Sequence, residues 1–253
     1  MKHVIIVPGG DESSTSQCDA PESSAGYAPA RGSFLDNVGA PCDELRREGS
    51  QQRFRRNEFL LVKGNSSDHV LLIESGLVKV RLDDTNGSQL IVGLYGHGEL
   101  IGEQGVLADE LRSADVIGHA DGVVTRVPSR AFRRFLDKHP ETLHLLLRIQ
   151  HSRLRKADHR QLTVATHDVQ TRVAKQLLAW ADTIGSSTRH GVLVSGLTRK
   201  DLANCVSASE QRVDKVLSRL TESGLVRTHW RKFLLPSPER LREHLRNLRG
   251  PLT

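Results

Sequence analysis

Residues 99–114 read ELIGEQGVLADELRSA and set Gly102, an acidic Glu103 and, nine residues later, the Arg112-Ser113 pair around a short apolar turn. A carboxylate can accept a sugar hydroxyl, a guanidinium can fork phosphate oxygens, and N–H groups beside a glycine can share the charge. The stretch holds the groups needed to close a ribose onto a phosphate, and it reads as a ligand-sensing site. The alternative for its two charges is that Glu103 and Arg112 simply pair with each other.

Around this cassette the chain alternates β-like runs with turn residues. Residues 59–63 precede Gly64-Asn65, 70–74 precede Ser75-Gly76, 77–82 precede a turn over 83–87, and 89–95 precede Gly96-His97-Gly98. Runs at 115–120 and 123–127 follow the cassette. Turn signals about 8 to 12 residues apart predict a small antiparallel barrel or jelly-roll, here over 46–138. Residues 1–45, rich in Ser, Gly, Pro and Ala, have too little apolar content to fold alone and are expected to form a mobile leader.

Helical periodicity starts near Ser129 and dominates from Glu141. Leu143, Leu147, Gln150, Leu154, Ala157, Gln161 and Val164 recur at alternating steps of four and three, the spacing of a coiled-coil seam. Leu145, Leu146 and Ile149 supply a second apolar face. Residues 139–166 are therefore expected to be a dimerisation helix and hinge, with one face on the barrel and the seam across a two-fold axis, where Gln150 and Gln161 would fix register. An ordinary amphipathic helix packed on one core is the alternative.

The remaining span, 167–253, opens with a helix expected over 169–181 and a loop. TRKDLANCVSASEQRVDKVLSRL follows at 198–220. Leu202, Val206, Ala208, Val213 and Val216 give the apolar contacts, and Ala203 the small residue, that two helices crossing steeply through a tight turn require. Ser209 is placed to cap the second helix, leaving Glu210, Gln211, Arg212 and Lys215 on its outer face. Residues 225–228 and 232–235 alternate as a hairpin around His229-Trp230-Arg231, a wing able to touch phosphates.

Composition narrows the classes. The 253 residues allow about two domains. No apolar run approaches the length of a membrane span, and the opening MKHVIIVPGG lacks the length of a secretory signal, so a cytoplasmic protein without a membrane partner is expected. Three scattered cysteines with no CxxC pair exclude a disulfide framework, and neither an iron–sulfur cluster nor a metal is expected from them or from histidines that lack HxH spacing. Charge is uneven: residues 1–50 sum to −4, 51–165 to +3 and 166–253 to +7. A basic C-terminal module beside a near-neutral one suggests polyanion binding under regulation. No nucleophile–base pair is readable, so no catalytic residue is assigned and the chain is not expected to be an enzyme.

Cassette, seam and winged motif in this order resemble the CRP/FNR superfamily of transcriptional regulators, over about residues 53–240. Most telling are Gly64 and Gly76, Gly102-Glu103 with Arg112-Ser113-Ala114, Asp168-Val169 before Arg172, and the 198–220 motif. The resemblance implies an α+β protein with a cyclic-nucleotide-binding β-roll, a long dimerisation helix and a C-terminal winged helix-turn-helix. It implies a homodimer on double-stranded DNA at a pseudo-palindromic operator, with RNA polymerase as a further partner. By position, Arg112 and Ser113 would hold the cyclic phosphate and Glu103 the ribose 2′-hydroxyl, with the Gly102 and Glu103 amides lining the pocket.

The chain departs from the family at three places. Where cyclic-AMP-responsive members carry a Thr-Ser pair on the dimerisation helix, it has Ala157-Asp158. Cyclic AMP is the first candidate ligand, with another cyclic nucleotide or a vestigial pocket in a ligand-independent regulator as alternatives. On the second helix Glu210, Gln211 and Lys215 replace the familiar Arg-Glu and later Arg, implying a different operator; by residue type they suit cytosine, adenine and guanine. Arg199, Arg212, Arg231 and Lys232 are the expected phosphate contacts, with Ser209 at the helix start. Ser207 stands where a turn glycine is usual, in a left-handed conformation that strains it modestly. A haem sensor and a metal-binding barrel enzyme are the remaining rival classes.

Overall fold

The structure, a computed structural model, describes residues 33–85 and 89–248. Two short helices, α1 (Phe34–Val38) and α2 (Cys42–Arg47), lead into strands β1 (Ser50–Phe54), β2 (Phe59–Leu61), β3 (His69–Asp83), β4 (Gln89–Gly96) and β5 (Leu100–Ile101). Helix α3 (Glu103–Ala108), strand β6 (Asp115–Pro128) and helix α4 (Ser129–Lys138) complete the first unit. The sheet order is β1-β6-β3-β4, all antiparallel, with β2 on β6 and β5 on β3. This is the expected β-roll.

Residues 33–45 correct the leader expectation. Phe34, Cys42 and Leu45 are fully buried against Phe132, Phe135 and Leu136 of α4, and Ser33 forms a capping box with Asp36. Three well-spaced apolar side chains suffice once a neighbouring helix offers a matching face. The rest of the expected leader, 1–32, lies outside the described residues, as do 86–88 of the expected 83–87 turn.

Ser75-Gly76 does not turn the chain. Strand β3 runs through it, shifting register against β6 on both sides. Gly76 takes φ 83°, and a Cβ there would sit 2.5 Å from the Asp121 carbonyl, so the position bends a continuous strand around its partner. The two runs at 115–120 and 123–127 likewise merge into one strand.

Helix α5 (Pro140–Thr166) leaves the roll with Leu146 buried and Leu145 and Ile149 packed on the core, as the second apolar face required. Helix α6 (Val169–Ile184), capped by Asp168 through the Thr171 N–H, begins the second unit. The loop expected next instead contains β7 (Ser186–Thr188) and β8 (Gly191–Ser195), followed by α7 (Arg199–Val206), α8 (Glu210–Glu222), β9 (Arg227–His229), β10 (Lys232–Leu235) and α9 (Pro238–Leu248). The sheet order β7-β8-β10-β9 makes the wing a four-stranded sheet.

The two units are docked. Leu77 and Ile91 of the roll join the core of the winged unit. Lys79 Nζ pairs with Asp201 Oδ1 at 3.0 Å and Arg56 Nη2 donates to the Gly196 carbonyl at 2.8 Å, while before the junction Arg160 Nη2 of α5 donates to the Val92 carbonyl of β4 at 2.7 Å.

Candidate ligand pocket and nucleic-acid interface

The cassette forms one wall of a cavity of about 750 Å³ between the roll and α5. Gly102 joins β5 to α3 with φ 87°, a conformation glycine adopts without strain. A Cβ there would stand 2.7 Å from Arg112 Nη1, so the glycine also makes room for the guanidinium. The cavity is lined by Gly102, Glu103, Arg112, Ser113 and Ala157, with the apolar wall drawn from Leu82, Leu90, Val92 and Val164 among others.

Arg112 is 5% exposed. Its Nη1 donates to the Gly102 carbonyl at 2.8 Å and its Nη2 to the His69 carbonyl, which fixes the fork beside the cavity. Burial lowers the guanidinium's pKa, opposed by the Asp68 carboxylate, whose Oδ1 lies 3.9 Å away. The side chain remains a cation, with N–H groups to spare beyond its two carbonyl bonds.

Glu103, 1% exposed, does not pair with Arg112. Its Oε1 accepts from Arg153 Nη1 at 2.6 Å and from Gln150 Nε2. Arg153 also donates to the Leu100 carbonyl and lies 4.9 Å over the Tyr95 ring. The alternative of a Glu103–Arg112 pair is overturned: the carboxylate ties the cassette to α5 instead.

This tether moves Gln150 off the expected seam. Ala157, Gln161 and Val164 face the cavity, so the unpartnered stripe is Leu143, Leu147, Leu154 and Leu162, with Leu147 and Leu154 about 60% exposed. Asp158 is a correction. It is exposed and does not line this chain's cavity, because one helical step of about 100° turns it away from Ala157.

On the winged unit, Thr198 and Asp201 form a capping box at the start of α7, and Ser209 Oγ accepts from the Arg212 N–H at the start of α8. Ser207 between the helices has φ 51°, the left-handed turn expected of it, and Arg172 Nη1 donates to the Val206 carbonyl at 2.8 Å behind it. Helix α8 buries Val213, Val216, Leu217 and Leu220 and exposes Glu210, Gln211, Arg212 and Lys215, as the pattern required. Gln211, Arg212 and Lys215 line a cleft with Asp83 and Asp84 of the roll.

Two expected phosphate contacts are engaged within the fold. Arg199 pairs with Asp214 at 3.0 Å. Arg231 donates to the Gly196 carbonyl at 3.3 Å and stacks on Trp230. Lys232 is exposed.

Arg153, Gln150 and Arg160 were missed from sequence, since the partners of Arg153 and Gln150 lie about fifty residues away and periodicity assigns them only to a helix face. The barrel histidines do not cluster: His69 meets Asp68, His97 meets the Glu74 carbonyl at 2.6 Å, and His119 is buried beside Lys79 and Asp201. No helix among the described residues is long and apolar enough to cross a membrane.

Residues 51–139 match the family model of the cyclic nucleotide-binding domain, and residues 171–244 that of the Crp-like helix-turn-helix domain. A CRP-like cAMP-activated global transcriptional regulator of Mycobacterium tuberculosis is 27% identical over 194 residues, covering 76% of this chain and 87% of the relative. The cAMP-activated global transcriptional regulator Vfr of Pseudomonas aeruginosa is 27% identical over 188 residues, 73% of this chain and 88% of its own. Among solved structures, the c-di-GMP responsive global regulator CLP of Xanthomonas campestris superposes with a TM-score of 0.70 at 18% identity, covering 77% of this chain and 97% of that one. A CRP family transcriptional regulator of Thermus thermophilus, TTHB099, gives 0.67 at 24% identity, with 77% and 96% covered. At these identities the two structures speak to the fold alone.

Proposed function

The chain belongs to the CRP/FNR family of transcriptional regulators, and from that premise we propose that it acts as a homodimer whose affinity for operator DNA is set by a cyclic nucleotide in the β-roll. The observation that carries this reading is the buried cation of Arg112 on the wall of a cavity large enough for a nucleotide, in the same chain as an exposed α8 face. Arg112 would fork the cyclic phosphate, with Ser113 and the Gly102 and Glu103 N–H groups sharing its charge. Glu103 would accept the ribose hydroxyl on Oε2, the oxygen that neither Arg153 nor Gln150 uses. A charge-assisted hydrogen bond contributes about 1.5 to 3 kcal/mol, so two or three supply a large share of the roughly 8 kcal/mol of a micromolar complex.

Because Glu103 is held by two side chains of α5, a ligand that draws on its carboxylate acts on the helix that leads to the winged unit. Ligand-induced ordering of α5 would reorient the two winged units to half-sites about 34 Å apart. Cyclic AMP is the first ligand to test; the base end of the cavity, with Ala157 in place of a hydroxyl, leaves other cyclic nucleotides in the panel. RNA polymerase as a partner and a cytoplasmic location belong to the same reading.

A second reading has an observation of its own. Arg112 already donates to two backbone carbonyls and Glu103 already accepts two side-chain donors, the arrangement of a vestigial pocket in a ligand-independent regulator. Fluorescence anisotropy on a selected operator with and without cyclic nucleotides separates the two. The first reading expects ligand to tighten binding and Arg112→Ala to abolish the response; the second expects neither.

A further inference from the structure

Trp230 is 84% exposed, against 62% for the next most exposed large apolar side chain described. It stands at the tip of the wing, where His229 pairs with Lys232 and leaves Trp230-Arg231 as a two-residue turn. Such turns favour Asn and Gly because φ is positive there, and Arg231 does take φ 57°. Turn geometry thus gives no reason for a bulky aromatic at this place, and burial gives none either. The other tryptophan shows the ordinary case: Trp180 is 4% exposed and packs against Phe233 at 6.0 Å.

The indole is held in place. The Arg231 guanidinium sits 5.2 Å from its ring centre and is itself fixed by the Gly196 carbonyl, which also accepts from Arg56. One face of the ring is backed by a cation and the rest is open to solvent. His229 and Lys232, which flank the turn, and Arg227 farther along β9 are exposed, so with Arg231 the tip of the wing carries an excess of cations. Helix α8 packs on β9, the strand that leads to the tip.

We propose that Trp230 is a DNA-contacting residue that inserts its indole into the minor groove flanking the half-site read by α8. A planar apolar side chain on a cationic tip fits that partner, since minor-groove binders insert apolar wedges between base steps and cations hold the flanking phosphates. The contact adds affinity without releasing counterions. It therefore differs in kind from Lys232, whose loss lowers the salt dependence. The inference rests on the DNA-binding reading above and deepens it.

The test measures affinity of the full chain for one selected duplex across a salt series, for wild type, Trp230→Ala, Trp230→Phe and Lys232→Ala. Trp230→Ala is expected to bind about tenfold more weakly at every salt concentration with an unchanged slope, while Lys232→Ala reduces the slope by about one. DNA is expected to change the emission of wild type, with Trp180 as a constant background, and Trp230→Phe removes that change. Unchanged affinity for Trp230→Ala, a slope that falls as it does for Lys232→Ala, or a change in oligomeric state that marks the indole as a subunit contact would each overturn the proposal. Failure of wild type to bind any selected duplex removes the DNA-binding reading itself, a result distinct from a loss confined to the variant.

Discussion

Gly102 carries two requirements that no other residue meets, a φ of 87° and an empty place beside Arg112 Nη1. Gly102→Ala is expected to lower stability by about 1 to 3 kcal/mol and to weaken cyclic-nucleotide binding by displacing the guanidinium. Chemical denaturation with calorimetric titration checks both effects. At this scale the sequence was informative where residue type and near neighbours decide the chemistry. The Gly102, Glu103, Arg112, Ser113 cassette and the left-handed Ser207 are local facts, whereas the partners of Glu103 are not. A carboxylate that could meet Arg112 nine residues on meets Arg153 on another element, and only folded coordinates choose between them.

Among elements, α5 shows how a correct period can assign the wrong neighbours. Its apolar stripe is real, but Gln150 bonds Glu103 and Ala157 and Gln161 line the pocket, while Leu147, Leu154 and Leu162 are left without cover in a single chain. Covering such a stripe with a second copy removes several leucines from water, each contributing about 1.5 to 3 kcal/mol when fully buried. Leu154→Asp is expected to convert a dimer to monomers in sedimentation velocity while the far-ultraviolet dichroism of the fold persists. An unchanged sedimentation coefficient would place the subunit contact elsewhere. The runs at 59–63, 89–95 and 232–235 were legible as strands, whereas β1 and β8 were not expected, and elsewhere pairing overrides composition. Gly76 bends β3 because β6 continues beside it, and β7, with its Ser-Ser-Thr sequence, exists through its ladder to β8. Helices α1 and α2 were hidden because their three buried side chains make sense only against α4.

Across the whole molecule, the docking of the two units is the feature least visible in the sequence, since it joins residues more than a hundred positions apart. His119 lies at this junction, 1% exposed, its two ring nitrogens without a partner among the described residues. Burial holds its pKa down at about 4, with Asp201 opposing and Lys79 reinforcing the shift. Burial pushes the Asp201 carboxyl up, but Thr198 and Lys79 together hold it below the usual carboxylate range.

A histidine whose folded pKa lies below its unfolded value of about 6.5 leaves stability flat above that pH and removes it as pH falls toward 4, up to about 3 kcal/mol. Below that window, protonation of Asp201 removes more. Denaturant midpoints measured from pH 7.5 to 4.5 should therefore fall, and less so in His119→Gln.

The docked arrangement also turns Gln211, Arg212 and Lys215 toward a cleft shared with Asp83 and Asp84, and the proposed function requires that a ligand in the pocket change the freedom of this readout helix. Anisotropy of a labelled, selected operator duplex, titrated with the full chain in the presence and absence of cyclic AMP and its relatives, tests that coupling most directly. The account predicts at least tenfold tighter binding with one of these ligands and no such gain for Arg112→Ala. Equal affinity in every condition would leave a DNA-binding protein whose pocket does not govern it.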